Sequence, residues 1–467
     1  MQKEIVVIGG GPGGYVAAIR GAQLGAKVTL IERHKIGGTC LNYGCIPTKT
    51  LYRNAELLNT LKHIEDFGIS TGPVSFDVDK IQARKQEVVD QLVGGIEQLI
   101  KINGIDLIYG SAEFLSPTDI KITSEDGEIR TVTCENIVLA SGSKPQMPPI
   151  EGIDLPGVIT SKEILEFEKV PEKLAVIGGG VIGMEFAGIF AAMGSEVTVI
   201  EYANNILGQV DSEITKRFAV SVKKKGIDIQ KSTKVNKIIK TETGLAVVGE
   251  TKKGEVVFDA THVLVSTGRT PVVDGLNLAA AGIEFDRKGI VVDDHFKTTA
   301  GNVYAIGDVN GKLMLAHAAS HQGIAAVDDI MGVLHNGNHE VVPSCIFVFP
   351  EIACVGLTED QAAEQGIEIK KSKFMFGANG KALSIGEPEG FVKVISDMND
   401  TILGVHIMGP HASDLIHEGT LAVSRKLHVS DIAGTIHAHP TLAEAFAEAT
   451  MGLSGEAIHM APIKLKK

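Results

Sequence analysis

One stretch of this chain occurs twice. Residues 5–32, IVVIGGGPGGYVAAIRGAQLGAKVTLIE, align without a gap on residues 174–201, LAVIGGGVIGMEFAGIFAAMGSEVTVIE, and 13 of the 28 positions are identical. Each copy reads as an apolar strand, a glycine turn, a helix rich in small residues and a second strand ending in an acid, which is a mononucleotide-binding βαβ unit. An echo follows each copy: NIVLASGSKP, ending at Pro145, and HVLVSTGRTP, ending at Pro271, are apolar strands that stop at a glycine near a proline. Each echo closes one lobe. The expected class is therefore α/β, with two Rossmann-like dinucleotide-binding lobes.

At roughly 150 residues per domain, 467 residues allow about three domains. The Pro-rich KPQMPPIEG (144–152) reads as a linker into the second lobe, and a similar break falls at NGNHEVVPS (336–344). Between the repeats Val88, Val89, Leu92, Val93, Ile96, Leu99 and Ile100 recur at helical spacing and predict an amphipathic helix packed on the first lobe. Beyond the second break, the strand-like FVKVIS and ILGVHIMG precede a helix near 413–425, which reads as a C-terminal α+β domain.

A net charge of −13 argues against nucleic acid as a partner, since phosphate binding needs a basic footprint. No apolar run approaches the roughly 18–20 residues that span a bilayer, so no membrane segment is expected. Five cysteines are too few, and an odd number, for a secreted disulfide framework, which makes the cytoplasm the expected compartment. Cys134, Cys345 and Cys354 stand in apolar, strand-like surroundings and are expected to be buried structural thiols.

In the first copy Gly9, Gly11 and Gly14 have the spacing G-x-G-x-x-G. Glycine there permits a tight turn, close approach of backbone N–H groups to a pyrophosphate, and tight helix packing, while Glu32 can accept from a ribose hydroxyl. The second copy offers Gly178, Gly180, Gly183 and Glu201 in identical spacing. Tyr202, Ala203, Asn204 and Asn205 follow Glu201 without an Arg or Lys for a 2′-phosphate, so the second site favours NAD over NADP.

Just past Glu32 stands GGTCLNYGCIPTK, with Cys40 and Cys45 five residues apart. Zinc is a poor reading, because no second ligand pair is near, and no metal is expected. A continuous helix would separate the two cysteines by about 7.5 Å and turn them to different faces. A bridge between them needs a distorted backbone, which Gly44 permits, and would be reducible and catalytic in a reducing compartment. Lys49 follows Cys45 by four residues and shares its helix face, where its ammonium lowers the thiol pKa.

The cysteine segment, the paired nucleotide units, TTAGNVYAIGD ending at Asp308, and HAHPTLAEAF (437–446) together resemble the flavoprotein pyridine nucleotide-disulfide oxidoreductases, in family order over essentially the whole chain. The resemblance is nearest to members that oxidise dihydrolipoamide. It implies FAD in the first lobe (1–146, with a return segment 272–342), NAD in the second (147–271), and a homodimer formed through 343–467. It makes Cys40 the outer thiol and Cys45 the inner one beside the flavin. Lys49 would lie at the flavin with Glu185 as its partner, and Asp308 would hold the ribityl chain. Ala112, Ser141, Gly142 and Ala316 fall at FAD-contacting positions, and Gly268 and Arg269 near NAD. His439 is the implied acid–base residue, contributed across the dimer and oriented by Glu444, whereas His437 is a packing or hydrogen-bonding residue. The implied reaction is oxidation of a dihydrolipoyl group on a carrier protein by NAD. Ala318, where many members have Lys, and Gln322, where an acid is common, depart from the family pattern and bear on the flavin potential. Rival readings are an NAD(P)H-dependent reductase of another disulfide and a non-catalytic nucleotide-binding subunit.

Overall fold

Each glycine turn starts where a buried parallel strand ends. Glu4–Ile8 runs parallel between Lys27–Glu32 and Asn136–Leu139, and its four apolar residues are buried, as a strand covered on both faces requires. Asp106–Tyr109 extends this sheet on one side. On the other side Val303–Ala305 returns, after the whole second lobe, to pair with Asn136–Leu139. The computed structural model describes residues 2–461 apart from 336 and 338, so those two residues of the second expected break lie outside the described residues.

The second lobe repeats the pattern. Lys173–Ile177 lies parallel between Glu196–Ile200 and His262–Val265, with Asp228–Gln230 and Val158–Ile159 at the edges. The registers coincide: Ile8 faces Ile31 and Leu139, and Ile177 faces Ile200 and Val265. Both lobes also carry a three-stranded antiparallel sheet, Ser111–Phe114 with Asp119–Thr123 and Ile129–Thr133, and Lys234–Lys240 with Leu245–Thr251 and Gly254–Ala260. The segment expected as a linker is partly ordered by pairing, because Ser143–Pro145 forms an antiparallel ribbon with Arg269–Pro271. The ends of the two echoes thus meet each other.

The C-terminal part is a five-stranded antiparallel sheet in the order Ser344–Ile346, Ile352–Gly356, Ile402–Met408, Phe391–Asp397, Ile369–Met375. Helices Ala412–Ser424 and Glu444–Met451 pack on it, which is the expected α+β arrangement. One core cluster joins this part to the rest: Leu51 and Tyr52 from helix Cys45–Lys62, Phe186 and Phe190 from the second lobe, and Ile346, Val348 and Phe391 from the C-terminal sheet. Buried Lys393 adds a polar tie, its Nζ 3.0 Å from both carboxylate oxygens of Asp211 in the second lobe. A buried charge is retained only when so paired.

The amphipathic helix spans Val78–Ile102. Val89, Ile96 and Ile100 are buried, but Leu92 and Leu99 are exposed, because the helix meets its neighbours along a narrower stripe than its apolar face. Cys134 is buried as expected. Cys345 and Cys354 are only half-buried, and Cys345 lines the large cavity described below.

Candidate active site

Cys40 and Cys45 meet because a helix breaks between them. Gly38–Tyr43 is a short helix entered from Gly37 at φ +90°, and helix Cys45–Lys62 begins two residues after Tyr43. The intervening Gly44 takes φ −149° and ψ −108°, and a Cβ there would approach the Thr39 carbonyl oxygen to 3.0 Å. The break brings the Cys40 thiol into hydrogen-bond contact with Cys45. That bond, aided by Lys49 and opposed by burial, lowers the Cys45 thiol to about 7, while donating it and being buried push the Cys40 thiol up. The inner sulfur is thus the one that ionises near neutral pH. By contrast, burial pushes Cys345 up to about 11, leaving it protonated at neutral pH.

Lys49 is one turn beyond Cys45. Its Nζ lies 2.9 and 2.8 Å from the two carboxylate oxygens of Glu185, a nearly buried side chain on the helix Val181–Ala192 of the second lobe. Phe347 N–H donates to the same carboxylate, and the Phe347 ring faces the ammonium at 4.6 Å. A charge-assisted pair across two lobes therefore fixes the cation beside the thiols.

A cavity of about 2270 Å³ opens over these groups. Gly9, Gly11 and Glu32 line one part of it, Cys40, Cys45, Lys49 and Glu185 another. Ala112, Ser141, Gly142, Asp308 and Ala316 face the same space, and so does Arg269. Gly14 lies behind Gly9, packed in the turn. Gly178, Gly180, Gly183 and Glu201 form a separate turn in the second lobe, and Gly268 takes φ +126° at the exit of that lobe. His439 and Glu444 stand apart from the cavity: His439 Nδ1 is 2.9 Å from Glu444 Oε1, and the imidazole is 78% exposed. Partial burial opposes ionisation of Glu444, but the Thr441 N–H and the His439 ring outweigh it and hold this carboxyl below its usual range.

The two glycine turns are built alike. Glu32 accepts from Gly10 N–H and His34 N–H, both at 2.7 Å; Glu201 accepts from Gly179 N–H and Ala203 N–H, both at 2.6 Å. Each acid therefore stiffens its own turn. The glycines divide into two kinds. A Cβ on Gly14 would come within 1.7 Å of the Gly9 carbonyl oxygen, and one on Gly183 within 2.1 Å of the Gly178 oxygen, so these are required by the fold. A Cβ on Gly180 would meet nothing within 4 Å, and one on Gly11 only Gly38 Cα at 4.0 Å. Both residues cap a helix that has no side-chain cap, leaving its first N–H groups for an anion. That open cradle fits a dinucleotide pyrophosphate, which a methyl group at either position would obstruct. Gly183→Ala should destabilise the protein by about 1–3 kcal/mol in denaturant melts. Gly180→Ala, at φ −75°, should leave stability within about 0.5 kcal/mol and weaken NAD binding about tenfold or more in calorimetry. Equal stability losses in the two variants would remove this division.

The profile of the pyridine nucleotide-disulphide oxidoreductases matches residues 3–323, and that of their dimerisation domain residues 342–450. The chain belongs to that family. It is 42% identical over 470 residues to a dihydrolipoyl dehydrogenase of Bacillus subtilis (strain 168), covering 98% of this chain and 99% of that one. The mitochondrial dihydrolipoyl dehydrogenase of Pisum sativum is 41% identical, with 98% and 93% covered. Among solved structures, LpdA of Mycobacterium tuberculosis superposes with a TM-score of 0.90 at 26% identity, over 97% and 99% of the two chains. The HOCl-induced flavoprotein disulfide reductase RclA of Escherichia coli gives 0.85 at 29% identity, over 96% and 99%.

One feature of this oxidoreductase leaves no signature in the sequence. Gln322, seen there only as a departure, is buried and accepts from Gly307 N–H at 2.7 Å and from Asn310 Nδ2 at 2.9 Å, clamping the turn that carries Asp308. An amide oxygen performs this without adding charge. His437, expected to pack or hydrogen-bond, joins Glu418 (2.9 Å) to the Thr435 carbonyl (3.0 Å) and anchors the loop that ends in His439.

Proposed function

We propose that the protein oxidises a dihydrolipoyl dithiol carried on another protein, with NAD as the final electron acceptor and the Cys40–Cys45 pair as the exchanging disulfide. The observation that carries this reading is the asymmetry of the pair: Cys45 ionises near neutral pH beside Lys49, and Cys40 holds the proton. In the oxidised enzyme His439, oriented by Glu444, takes a proton from a substrate thiol, and the thiolate attacks Cys40 Sγ. The Cys40–Cys45 bond breaks and Cys45 leaves as thiolate. The second substrate thiol then attacks the substrate sulfur of the mixed disulfide, Cys40 leaves and takes up that thiol's proton, and cyclic disulfide is released, so that two electrons have moved into the cysteine pair. Bound FAD supplies the two-electron chemistry that returns the pair to a disulfide and delivers hydride to NAD. In this reading the first-lobe turn and Asp308 hold FAD, while the second-lobe turn and Glu201 hold NAD.

The dimerisation-domain match supports a homodimer as the working assembly. Among the described residues no helix is long and apolar enough to cross a membrane. The proposed setting is the cytoplasm, on the cysteine usage, and the proposed partner is the lipoyl-bearing component of a 2-oxo acid dehydrogenase or glycine-cleavage complex. The test is steady-state oxidation of dihydrolipoamide by the purified holoprotein, offered NAD or NADP. NADH should form at a rate that saturates with dithiol, and NADP should be poorly used, because Glu201 repels a 2′-phosphate. A flavoprotein that binds NAD yet makes no NADH is the non-catalytic subunit instead. Equal use of NADP overturns the reading of the second lobe.

A further inference from the structure

The family resemblance places Arg269 near NAD, and its side chain reaches Ser143 of the first lobe. Gly268, at φ +126°, turns the chain as it leaves the second lobe, and Arg269 begins the ribbon strand paired with Ser143–Pro145. From there the guanidinium enters the large cavity that both lobes line, where it is 15% exposed. Its Nε donates to Ser143 Oγ at 2.7 Å and its Nη2 to the Ser143 carbonyl at 2.8 Å. Ser143 Oγ in turn donates to Asp308 Oδ2, which lies 3.8 Å from Arg269 Nε.

Asp308 is thus held from two sides. Gln322 clamps its backbone turn, and the Arg269–Ser143 relay occupies one carboxylate oxygen. Among the described residues no donor reaches Oδ1, and Asp308 lines the cavity. A carboxylate with one oxygen tied and the other free is oriented to accept from a polyol hydroxyl. The relay also places a cation in the same cavity as Cys45.

We propose that Arg269 is a positioning residue of the flavin site, which acts through Ser143 to fix the Asp308 carboxylate and contributes positive charge near the redox centre. This rests on the reading of the cavity as the FAD site. Lys cannot replace it fully, because a point charge lacks the two-pronged grip on Ser143.

The test compares holoproteins of wild type, Arg269→Met, Arg269→Lys, Ser143→Ala and Arg269→Met/Ser143→Ala. FAD release is followed by flavin fluorescence, the flavin potential by redox titration, and NAD affinity by calorimetry. Arg269→Met should release FAD about tenfold faster or more, at unchanged NAD affinity. Ser143→Ala should do the same, and the double variant should be no worse than either single one, since both break one relay. The potential should fall in Arg269→Met, because loss of a cation disfavours the anionic reduced flavin, and Arg269→Lys should restore the potential while retaining FAD only partly. Unchanged FAD release, weakened NAD binding, additive losses or an unmoved potential each overturn the proposal. If Arg269→Met does not fold, the comparison of Ser143→Ala and Arg269→Lys with wild type decides it alone. A wild-type protein isolated without FAD, and unable to take it up, instead fails the reading of the cavity.

Discussion

Replacing Cys40 by Ser should abolish lipoamide-dependent turnover and still leave a protein with a long-wavelength charge-transfer band, whereas Cys45→Ser should abolish both. The loss of turnover should exceed about a thousandfold in each case, because a serine hydroxyl cannot form the exchanging disulfide and the covalent route is closed. The spectra differ because only the inner sulfur has Lys49 one turn away and a thiol lowered to about 7. In two-electron-reduced wild type the band should be full above pH 7 and fade as the pH falls through that value, since protonation removes the thiolate donor. In Cys40→Ala, which removes the hydrogen-bond donor, the midpoint should move up, the Cys40 thiol being the largest contributor to the lowering. A band that survives in Cys45→Ser and vanishes in Cys40→Ser would show that the two sulfurs have been assigned backwards.

A second large effect should appear on mixing two dead enzymes. His439 does not line the cavity that holds its own chain's Cys40, and its imidazole is 78% exposed even though Glu444 and the His437–Glu418 bond fix the loop that carries it. A residue so rigidly presented to solvent fits a role in a second copy of the chain. Under subunit exchange, Cys45→Ser and His439→Gln chains should form heterodimers with one intact site of two, and activity should return to at most about half of normal per heterodimer. The measurement is dithiol-dependent NADH formation on isolated heterodimers carrying two different tags. No recovery in such heterodimers, or full activity in a verified monomer, would sink the shared-site model.

The repeat was legible because the backbone imposes it. Gly9, Gly14, Gly178 and Gly183 stand where a side chain collides with main chain, so the spacing survives divergence elsewhere in the unit. The roles of Gly10 and Gly179 were missed, although each is crowded by its own lobe's acid at 3.2 Å, because that contact arises only once the second strand has closed the sheet. The cysteine segment likewise announces its chemistry locally, through Gly44 and Lys49. Contacts that join distant stretches leave no local signature. Nothing in SGSKP or STGRTP shows that these echoes pair with each other, or that the Arg269 guanidinium grips Ser143 of the first echo. Periodicity gave the helix Val78–Ile102 but not the outward facing of Leu92 and Leu99, which is decided by how wide a neighbour covers it.

The hydrophobic cluster shared by Leu51, Phe190 and Phe391 bears on the history of the repeat. Two copies of one unit invite the idea of two interchangeable modules. The first copy packs Ile5, Val7 and Leu30 in a core with Tyr304, Ile306 and Val327, which return to it only after the whole second lobe. The second has surrendered its core to joint ownership with the disulfide helix and the C-terminal sheet, so its excision would strip apolar surface from all three. Neither lobe is therefore a separable segment: the first is completed by chain from beyond the second, and any transplant of the second nucleotide site into another protein would have to carry its neighbours along.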